Sequence, residues 1–387
     1  MKDIIILGAT GSIGSQTLDV IRNNPAEYNV LALSLGHDLD SNRKIIDEFK
    51  PSFLCARTKE DMDILQKEYP NLSFTYGDYG LIETATYAET KKDVLLVVAL
   101  VGSIGLKPTV EAIKIKRNIA LANKETLVMA GEIVMQLAKE NQVSIFPIDS
   151  EHSAIYQVLV GEDKENIKRL IITASGGSFR NLSREELKNV TVSDALKHPN
   201  WKMGAKITID SSTMMNKGFE VIEAFHLFQI PYDKIDTVLH PESIVHSMVE
   251  FKDSSIKAQL GNSDMRIPIL YALSYPKRIQ YDNGLNLIGQ SLHFSELSTK
   301  RYPCLQMAID CLKKGNIFPT VLNASNEAAV KLFLDGKISY LQIEEIIAAA
   351  IEETDFVSEL SLDVILETNE KVQEKIIKKY GGNSICS

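Results

Sequence analysis

The stretch Ile4-Ile5-Ile6-Leu7-Gly8-Ala9-Thr10-Gly11-Ser12-Ile13-Gly14 decides the reading of the N-terminal half. Four apolar residues form a short buried strand, three glycines in seven residues form a tight turn, and a helical pattern follows through Ile21. A strand, a glycine turn and a helix N-terminus aim backbone N–H groups and the positive end of a helix dipole at a pyrophosphate. The spacing is G-x-x-G-x-x-G rather than G-x-G-x-x-G, so the loop alone reads either as a tight turn or as a dinucleotide cradle.

Working outward, residues 1–149 alternate strand and helix signals. Strands are expected near Ile4–Leu7, Val30–Leu35, Phe53–Ala56, Leu95–Leu100, Ile119–Ala122 and Ile145–Ile148. This pattern predicts an α/β protein with an N-terminal Rossmann-like doubly wound sheet. The second strand ends at Leu35-Gly36-His37-Asp38, where such a domain meets the adenosine ribose. An Asp there favours a 2′-hydroxyl and a cation favours a 2′-phosphate, so His37 and Asp38 leave NAD against NADP undecided.

Residues 150–275 alternate glycine and polar clusters with short apolar runs, Leu170–Thr173, Ile207–Ile209 and Val245–Phe251, and predict a central α+β catalytic domain with long loops. Residues 276–300 read as a linker. Residues 301–387 read as a small C-terminal helical domain whose Val330, Leu332, Phe333, Ile343, Ile346, Ile347 and Ile351 fall at helix spacing, as core.

Composition excludes several classes. The 387 residues are 44% hydrophobic, with a formal net charge of −9 and no long basic run, which argues against a sequence-independent grip on nucleic acid. The longest apolar stretch, Val94–Gly102, falls far short of the roughly 20 residues that span a bilayer. With no signal or transit pattern at Met1-Lys2-Asp3-Ile4, a cytoplasmic location is expected. Cys55, Cys304, Cys311 and Cys386 lack C-x-x-C spacing and read as reduced thiols.

Chemistry concentrates in three segments. In Pro147-Ile148-Asp149-Ser150-Glu151-His152-Ser153, a persisting strand would set Asp149 and Glu151 on one side as oxygen ligands for Mg²⁺ or Mn²⁺. The alternative is a solvated turn in which Asp149 or Ser150 caps the next helix. Thr173-Ala174-Ser175-Gly176-Gly177-Ser178 reads as an anion nest or a plain β-turn. The densest segment runs from His198-Pro199-Asn200-Trp201 to Asp210-Ser211-Ser212-Thr213-Met214-Met215-Asn216-Lys217-Gly218-Phe219-Glu220, and a helix over about 213–228 would set Asn216 and Glu220 on one face. Trp201 reads as a lid aromatic or as a structural tryptophan. His226, His240 and His246 read as structural or as supports for other groups.

In order, Gly8-Ala9-Thr10-Gly11-Ser12-Ile13-Gly14, Ala122-Asn123-Lys124-Glu125, Pro147-Ile148-Asp149-Ser150-Glu151-His152-Ser153-Ala154, Ala174-Ser175-Gly176-Gly177, His198-Pro199-Asn200-Trp201-Lys202-Met203-Gly204 and Met214-Met215-Asn216-Lys217-Gly218 closely resemble the 1-deoxy-D-xylulose 5-phosphate reductoisomerases. The resemblance spans essentially the whole chain. It implies NADPH-dependent conversion of 1-deoxy-D-xylulose 5-phosphate to 2-C-methyl-D-erythritol 4-phosphate in non-mevalonate isoprenoid biosynthesis, on a homodimer. It further implies that Asp149, Glu151 and Glu220 hold Mg²⁺ or Mn²⁺, which stabilises the enediolate of a retro-aldol and aldol rearrangement before hydride reduction.

By the same matching, Ser175, Ser211, Asn216 and Lys217 bind the phosphate, while Lys124, Ser150 and His198 contact the substrate backbone. Lys124, Glu151 and His198 are the expected catalytic groups. Thr10, Gly11, Ser12, Ile13, Gly36, Asn123, Glu125 and Gly204 match dinucleotide contacts, Met265 packs near the nicotinamide, and Trp201 and Met203 belong to the lid. Two departures stand out. Many members have Lys or Arg and then Asn where this chain has His37 and Asp38, so a protonated His37, or Arg43 or Lys44 folding back, is left to meet the 2′-phosphate. Many also have Pro where Ser263 precedes Asp264-Met265.

Two other readings compete. A metal-free reductase working through a cysteine thioester would need a reactive Cys55, and a dinucleotide-sensing scaffold would need no carboxylate trio.

Overall fold

The computed structural model describes residues 1–201 and 203–382, so Lys202 and Cys386, both named above, lie outside it. In chain order the elements begin with β1 (Lys2–Leu7), α1 (Ser12–Arg22), β2 (Tyr28–Ser34), α2 (Leu39–Phe49), β3 (Phe53–Ala56), α3 (Lys59–Glu68), β4 (Ser73–Tyr76), α4 (Gly77–Thr86) and β5 (Val94–Val98). They continue with α5 (Leu106–Lys114), β6 (Asn118–Leu121), α6 (Lys124–Asn141), β7 (Ile145–Pro147), α7 (Ser150–Val158), β8 (Ile167–Ala174), α8 (Val192–Ala195), α9 (Ala205–Thr213) and α10 (Met215–Phe228). The remainder is β9 (Ile235–Leu239), β10 (Val245–Phe251), β11 (Ile256–Leu260), α11 (Arg266–Ser274), β12 (Ser295–Glu296), α12 (Pro303–Lys314), α13 (Phe318–Leu334), α14 (Gln342–Glu352) and α15 (Leu362–Tyr380).

The chain divides into two compact units. The first comprises 1–126, 134–153 and 265–282. Its seven-stranded sheet has the order β4-β3-β2-β1-β5-β6-β7, and every neighbouring pair is parallel. Strand order reverses between β1 and β5, the switch point at which doubly wound sheets open a crevice beyond the strand ends. Ile4, Ile5, Ile6 and Leu7 are wholly buried, as is the run Leu96–Val98, which is why these strands read as continuous apolar stretches. Helix α11 packs beside α1 and contributes the buried Ile269, Leu270 and Leu273 to this core.

The second unit comprises 127–133, 154–264 and 283–387. Its five-stranded sheet runs β11-β10-β8-β9-β12, with β8 and β9 parallel and the other pairs antiparallel. Of the short apolar runs, Leu170–Thr173 and Val245–Phe251 lie in β8 and β10, while Ile207–Ile209 lies in α9, where Thr208 Oγ1 donates to Gly204 O at 2.8 Å. Helices α9, α10 and α12–α14 share one core, in which Val330, Leu332, Phe333, Ile343, Ile346 and Ile347 are buried and Ile351 is packed at its margin. Among the described residues no helix is long and apolar enough to cross a membrane.

Candidate active site

In the first unit, the glycine loop follows β1 at the switch point. Gly8 takes φ 88°, and a Cβ there would lie 2.6 Å from Ala99 O, so only glycine lets the turn close on the end of β5. A Cβ on Gly14 would lie 2.0 Å from Gly8 O, so the third glycine lets α1 start directly against the turn. Gly11 is the N-cap of α1 and offers no side-chain acceptor, which leaves the first-turn N–H groups available to an anion. Thr10 Oγ1 stands 2.5 Å from where a Gly36 Cβ would be, closing one side of the loop.

At the end of β2, Asp38 is occupied as the N-cap of α2. Its Oδ1 accepts from Asp40 N and Ser41 N, its Oδ2 accepts from Ser41 Oγ at 2.6 Å, and these bonds, led by Ser41, lower its pKa. His37 Nδ1 lies 3.3 Å from Asp61 Oδ2. Arg43, one candidate for the 2′-phosphate, is instead committed to Glu68 through two 2.8 Å bonds and to Asp40 through a third.

Beyond β6, Asn123 caps α6 through Thr126 N and donates to Leu100 O at 3.1 Å, Gly102 O at 2.9 Å and Glu125 Oε2 at 2.9 Å. One buried amide thereby fixes the loop after β5 to the start of α6.

The acidic segment corrects one expectation. The strand stops at Pro147, Asp149 precedes α7, and Ser150 and Glu151 form its first turn. Asp149 Oδ1 accepts from Glu151 N at 3.0 Å and His152 N at 3.4 Å, as an N-cap does. The carboxylate pair is therefore gathered by a helix start rather than by strand alternation, and oxygens of Asp149 and Glu151 still approach within 4.8 Å. Asp149 Oδ2 also receives the Lys124 ammonium, and Ser150 Oγ donates to Glu151 Oε2 at 2.5 Å.

In the second unit, Ser175-Gly176-Gly177 follows β8 with both glycines at positive φ, 93° and 69°. A Cβ on Gly177 would lie 2.6 Å from Ser211 O, so the turn is seated directly on the end of α9. His198 faces Ser175, with Nε2 3.2 Å from Ser175 Oγ, while Nδ1 accepts from Asn200 N at 3.2 Å and Trp201 N at 3.0 Å. A ring whose Nδ1 is an acceptor carries its proton on Nε2, so His198 presents an N–H donor toward Ser175. Burial, with the nearby Arg180 guanidinium, pushes its pKa down to about 4 and keeps it neutral. Trp201 is half-buried with its ring 5.9 Å from His246.

The helix expected over about 213–228 is α10, which begins at Met215 because Met214, in a left-handed conformation with φ 62°, separates it from α9. After that break, Asn216 Nδ2 donates to Glu220 Oε1 at 2.5 Å, and Lys217 donates to Glu220 Oε2 and to Thr173 O. Glu220, fully buried, is held between them. His240 is structural: Nδ1 lies 2.9 Å from His293 O, and Nε2 accepts from Ile244 N and Val245 N.

Three contributors escaped the sequence reading. Arg180 reaches Ser175 O and Pro241 O, both at 3.1 Å, and so braces the Ser175 turn. Asn326 and Tyr340 hold Asp210 and Ser212, the residues on either side of Ser211, at 2.8 and 3.0 Å. The one local signal was polarity inside an apolar helix, since Thr320, Asn323, Ser325 and Asn326 of α13 are all wholly buried.

The cysteine reading finds no support in this geometry. Cys55 is a buried free thiol whose pKa burial pushes up to about 12, and Cys311 is likewise pushed to about 12.

Comparison with known proteins supplies the deciding observation. Residues 4–131 match the model for 1-deoxy-D-xylulose 5-phosphate reductoisomerase, residues 145–228 the model for its C-terminal domain, and residues 260–375 the model for a further DXP reductoisomerase C-terminal domain. The chain belongs to the 1-deoxy-D-xylulose 5-phosphate reductoisomerase family. The enzyme of that name from Macrococcus caseolyticus (strain JCSC5402) is 55% identical over 97% of this chain and 99% of its own length. That from Geobacillus sp. (strain WCH70) is 52% identical, again over 97% and 99%. A crystal structure of DOX-P reductoisomerase in complex with NADPH, fosmidomycin and magnesium superposes with a TM-score of 0.92 at 40% identity, covering 98% of both chains. The Zymomonas mobilis reductoisomerase in complex with NADPH gives 0.89 at 36%, with the same coverage.

Proposed function

We infer that the protein is an NADPH- and divalent-metal-dependent reductoisomerase that converts 1-deoxy-D-xylulose 5-phosphate to 2-C-methyl-D-erythritol 4-phosphate, serving isoprenoid precursor biosynthesis by the non-mevalonate route. The observation that carries the reading lies within one sheet: the carboxylate pair Asp149 and Glu151 follows β7 of the parallel sheet whose β1 feeds the glycine loop. Reductant and metal chemistry are thus assigned to carboxyl ends of strands in a single layer.

The residues fit both groups. The bare N-terminus of α1 and the glycine-only approach of Gly8 to Ala99 suit a dinucleotide phosphate, and hard carboxylate oxygens suit Mg²⁺ or Mn²⁺. We assign Thr10, Gly11, Ser12, Ile13, Gly36, Asn123, Glu125, Gly204 and Met265 to NADPH, and Asp149, Glu151 and Glu220 to the metal. When bound, the ion supplies Lewis-acid polarisation of substrate oxygens and NADPH supplies the hydride.

The chain's own groups do the rest. Ser175, Ser211, Asn216 and Lys217 bind the substrate phosphate, anchoring the molecule away from its reacting carbons. Neutral His198 donates from Nε2 to a substrate oxygen. Lys124, held on Asp149, places a positive charge beside the carboxylates, and Ser150 orients Glu151. Trp201 and Met203 exclude water as a lid. The assembly is a cytoplasmic homodimer that acts on a small phosphorylated sugar and binds neither nucleic acid nor membrane.

The test is NADPH oxidation with 1-deoxy-D-xylulose 5-phosphate, with and without Mg²⁺ or Mn²⁺, for wild type and Glu151→Gln. Metal-dependent turnover that the substitution lowers by at least a hundredfold is expected. Turnover with no metal dependence, or none with any pairing, overturns the assignment.

A further inference from the structure

The end of β2 poses a specificity problem. A 2′-phosphate requires a cation beside the adenosine ribose, yet His37 faces Asp61, Asp38 is an acid capping α2, and Arg43 is bound to Glu68 and Asp40. We propose that Arg57, on the neighbouring strand end, supplies the cation that recognises the 2′-phosphate of NADPH. The proposal rests on the reading of NADPH as cofactor.

Register carries the argument. β2 and β3 are parallel with Ala32 opposite Phe53, Leu33 opposite Leu54 and Ser34 opposite Cys55. Pairing continues one residue past the end of β2, because Leu35 N donates to Cys55 O at 2.8 Å. That bond sets Leu35 opposite Ala56, and the next step sets Gly36 opposite Arg57. Adjacent strands lie about 4.8 Å apart, so the register carried on by one step brings the Arg57 backbone toward the glycine at which the ribose is expected.

Arg57 is also free to act. Its side chain is exposed, and among the described residues it makes no hydrogen bond or ion pair. With the carboxylates of Asp38 and Asp61 nearby, an unengaged guanidinium is the group that can offset their repulsion of a phosphate. Its planar fork can engage two phosphate oxygens at once. Two other exposed cations compete: Lys44 of α2, felt by the Asp38 carboxylate, and Lys59 in the first turn of α3, two residues beyond the register position opposite Gly36.

The experiment is a binding titration, independent of turnover, on the full-length protein with adenosine 2′,5′-bisphosphate, 5′-AMP, NADPH and NADH. For Arg57→Gln we expect about tenfold weaker binding of the bisphosphate and of NADPH, with 5′-AMP and NADH unchanged within twofold. Arg57→Lys should fall between, and His37→Lys placed in the Arg57→Gln background should recover most of the loss. Unchanged bisphosphate affinity in Arg57→Gln overturns the proposal, as does a loss found only in Lys44→Gln or only in Lys59→Gln. A wild-type protein with no preference for NADPH over NADH overturns the cofactor reading itself, and that result is visible before any variant is made.

Discussion

The carboxamide of Asn326 donates to Oδ1 of Asp210 across 2.8 Å, and Asp210 is the residue immediately before Ser211. Lys206 holds the other oxygen at 3.0 Å, and Tyr340 Oη donates to Ser212 Oγ at 3.0 Å. Helix α13 and the segment before α14 therefore fix both flanks of a serine assigned to the substrate phosphate. Asn326→Ala leaves a carboxylate that is only 2% exposed short of a partner, which costs about 1–3 kcal/mol. The expected outcome is a lower urea midpoint together with a KM for the phosphorylated substrate raised about tenfold. Lost stability with KM unchanged would confine Asn326 to a structural role.

The glycine loop gives a sharper steric prediction. Gly14→Ala places a methyl 2.0 Å from Gly8 O, a backbone atom that cannot swing aside. Either the loop or α1 must shift, and NADPH affinity measured by fluorescence titration should fall at least tenfold. Retained affinity would mean that the first turn of α1 is not the phosphate seat.

Two histidines set an acid limit. His198 and His226 are both pushed down to about 4 by burial, Arg180 adding to the effect at His198. In the unfolded chain each titrates near 6.5, so between about 6.5 and 4 the unfolded state takes up protons that the folded state refuses. Stability is whole above about 6.5 and declines as pH falls through that window. Urea midpoints measured from pH 7 to 4.5 should drop, and His226→Phe should flatten part of the drop. Nitrogen NMR shifts should show His198 neutral at pH 5.5, with its proton on Nε2.

Lys124 and a divalent ion make opposing claims on Asp149. The ammonium is bonded to Oδ2 of that carboxylate, and two cations at one acid repel each other. Lys124→Met should therefore tighten Mg²⁺ binding a fewfold in calorimetric titration while lowering turnover by at least tenfold. Weaker Mg²⁺ binding in the variant would show that Lys124 organises the carboxylates rather than competing for them.

What was legible in the chain follows from where signals are local. Fully buried strands such as Ile4–Leu7 and Leu95–Val98 announce themselves as apolar runs, and the glycine spacing marked the turn, while the steric need for Gly8 and Gly14 shows only in the contacts of the folded chain. Strand β4 escaped notice because Ser73-Phe74-Thr75-Tyr76 lies at the sheet edge, half exposed, with no apolar run to mark it. Ile207-Thr208-Ile209 is a β-branched run too short to show a period, so its apolar character did not say whether it was strand or helix; it lies in α9. Asp149 and Glu151 were found for a reason that proved wrong in geometry, since a cap rather than a pleat arranges them. The links of Asn326 to Asp210 and of Tyr340 to Ser212 span more than a hundred residues and leave no local trace beyond polar side chains in an apolar helix.

The return of Met265–Asp282 to the first unit has a genetic consequence. The polypeptide passes between the two units five times, so no single cut in the gene releases the first unit whole and alone. A fragment ending at Ser153 would lack α11 and leave uncovered the flank of α1 against which it packs. The two units interleave in one reading frame, so any contiguous piece that holds the first unit whole also carries 127–133 and 154–264 of the second.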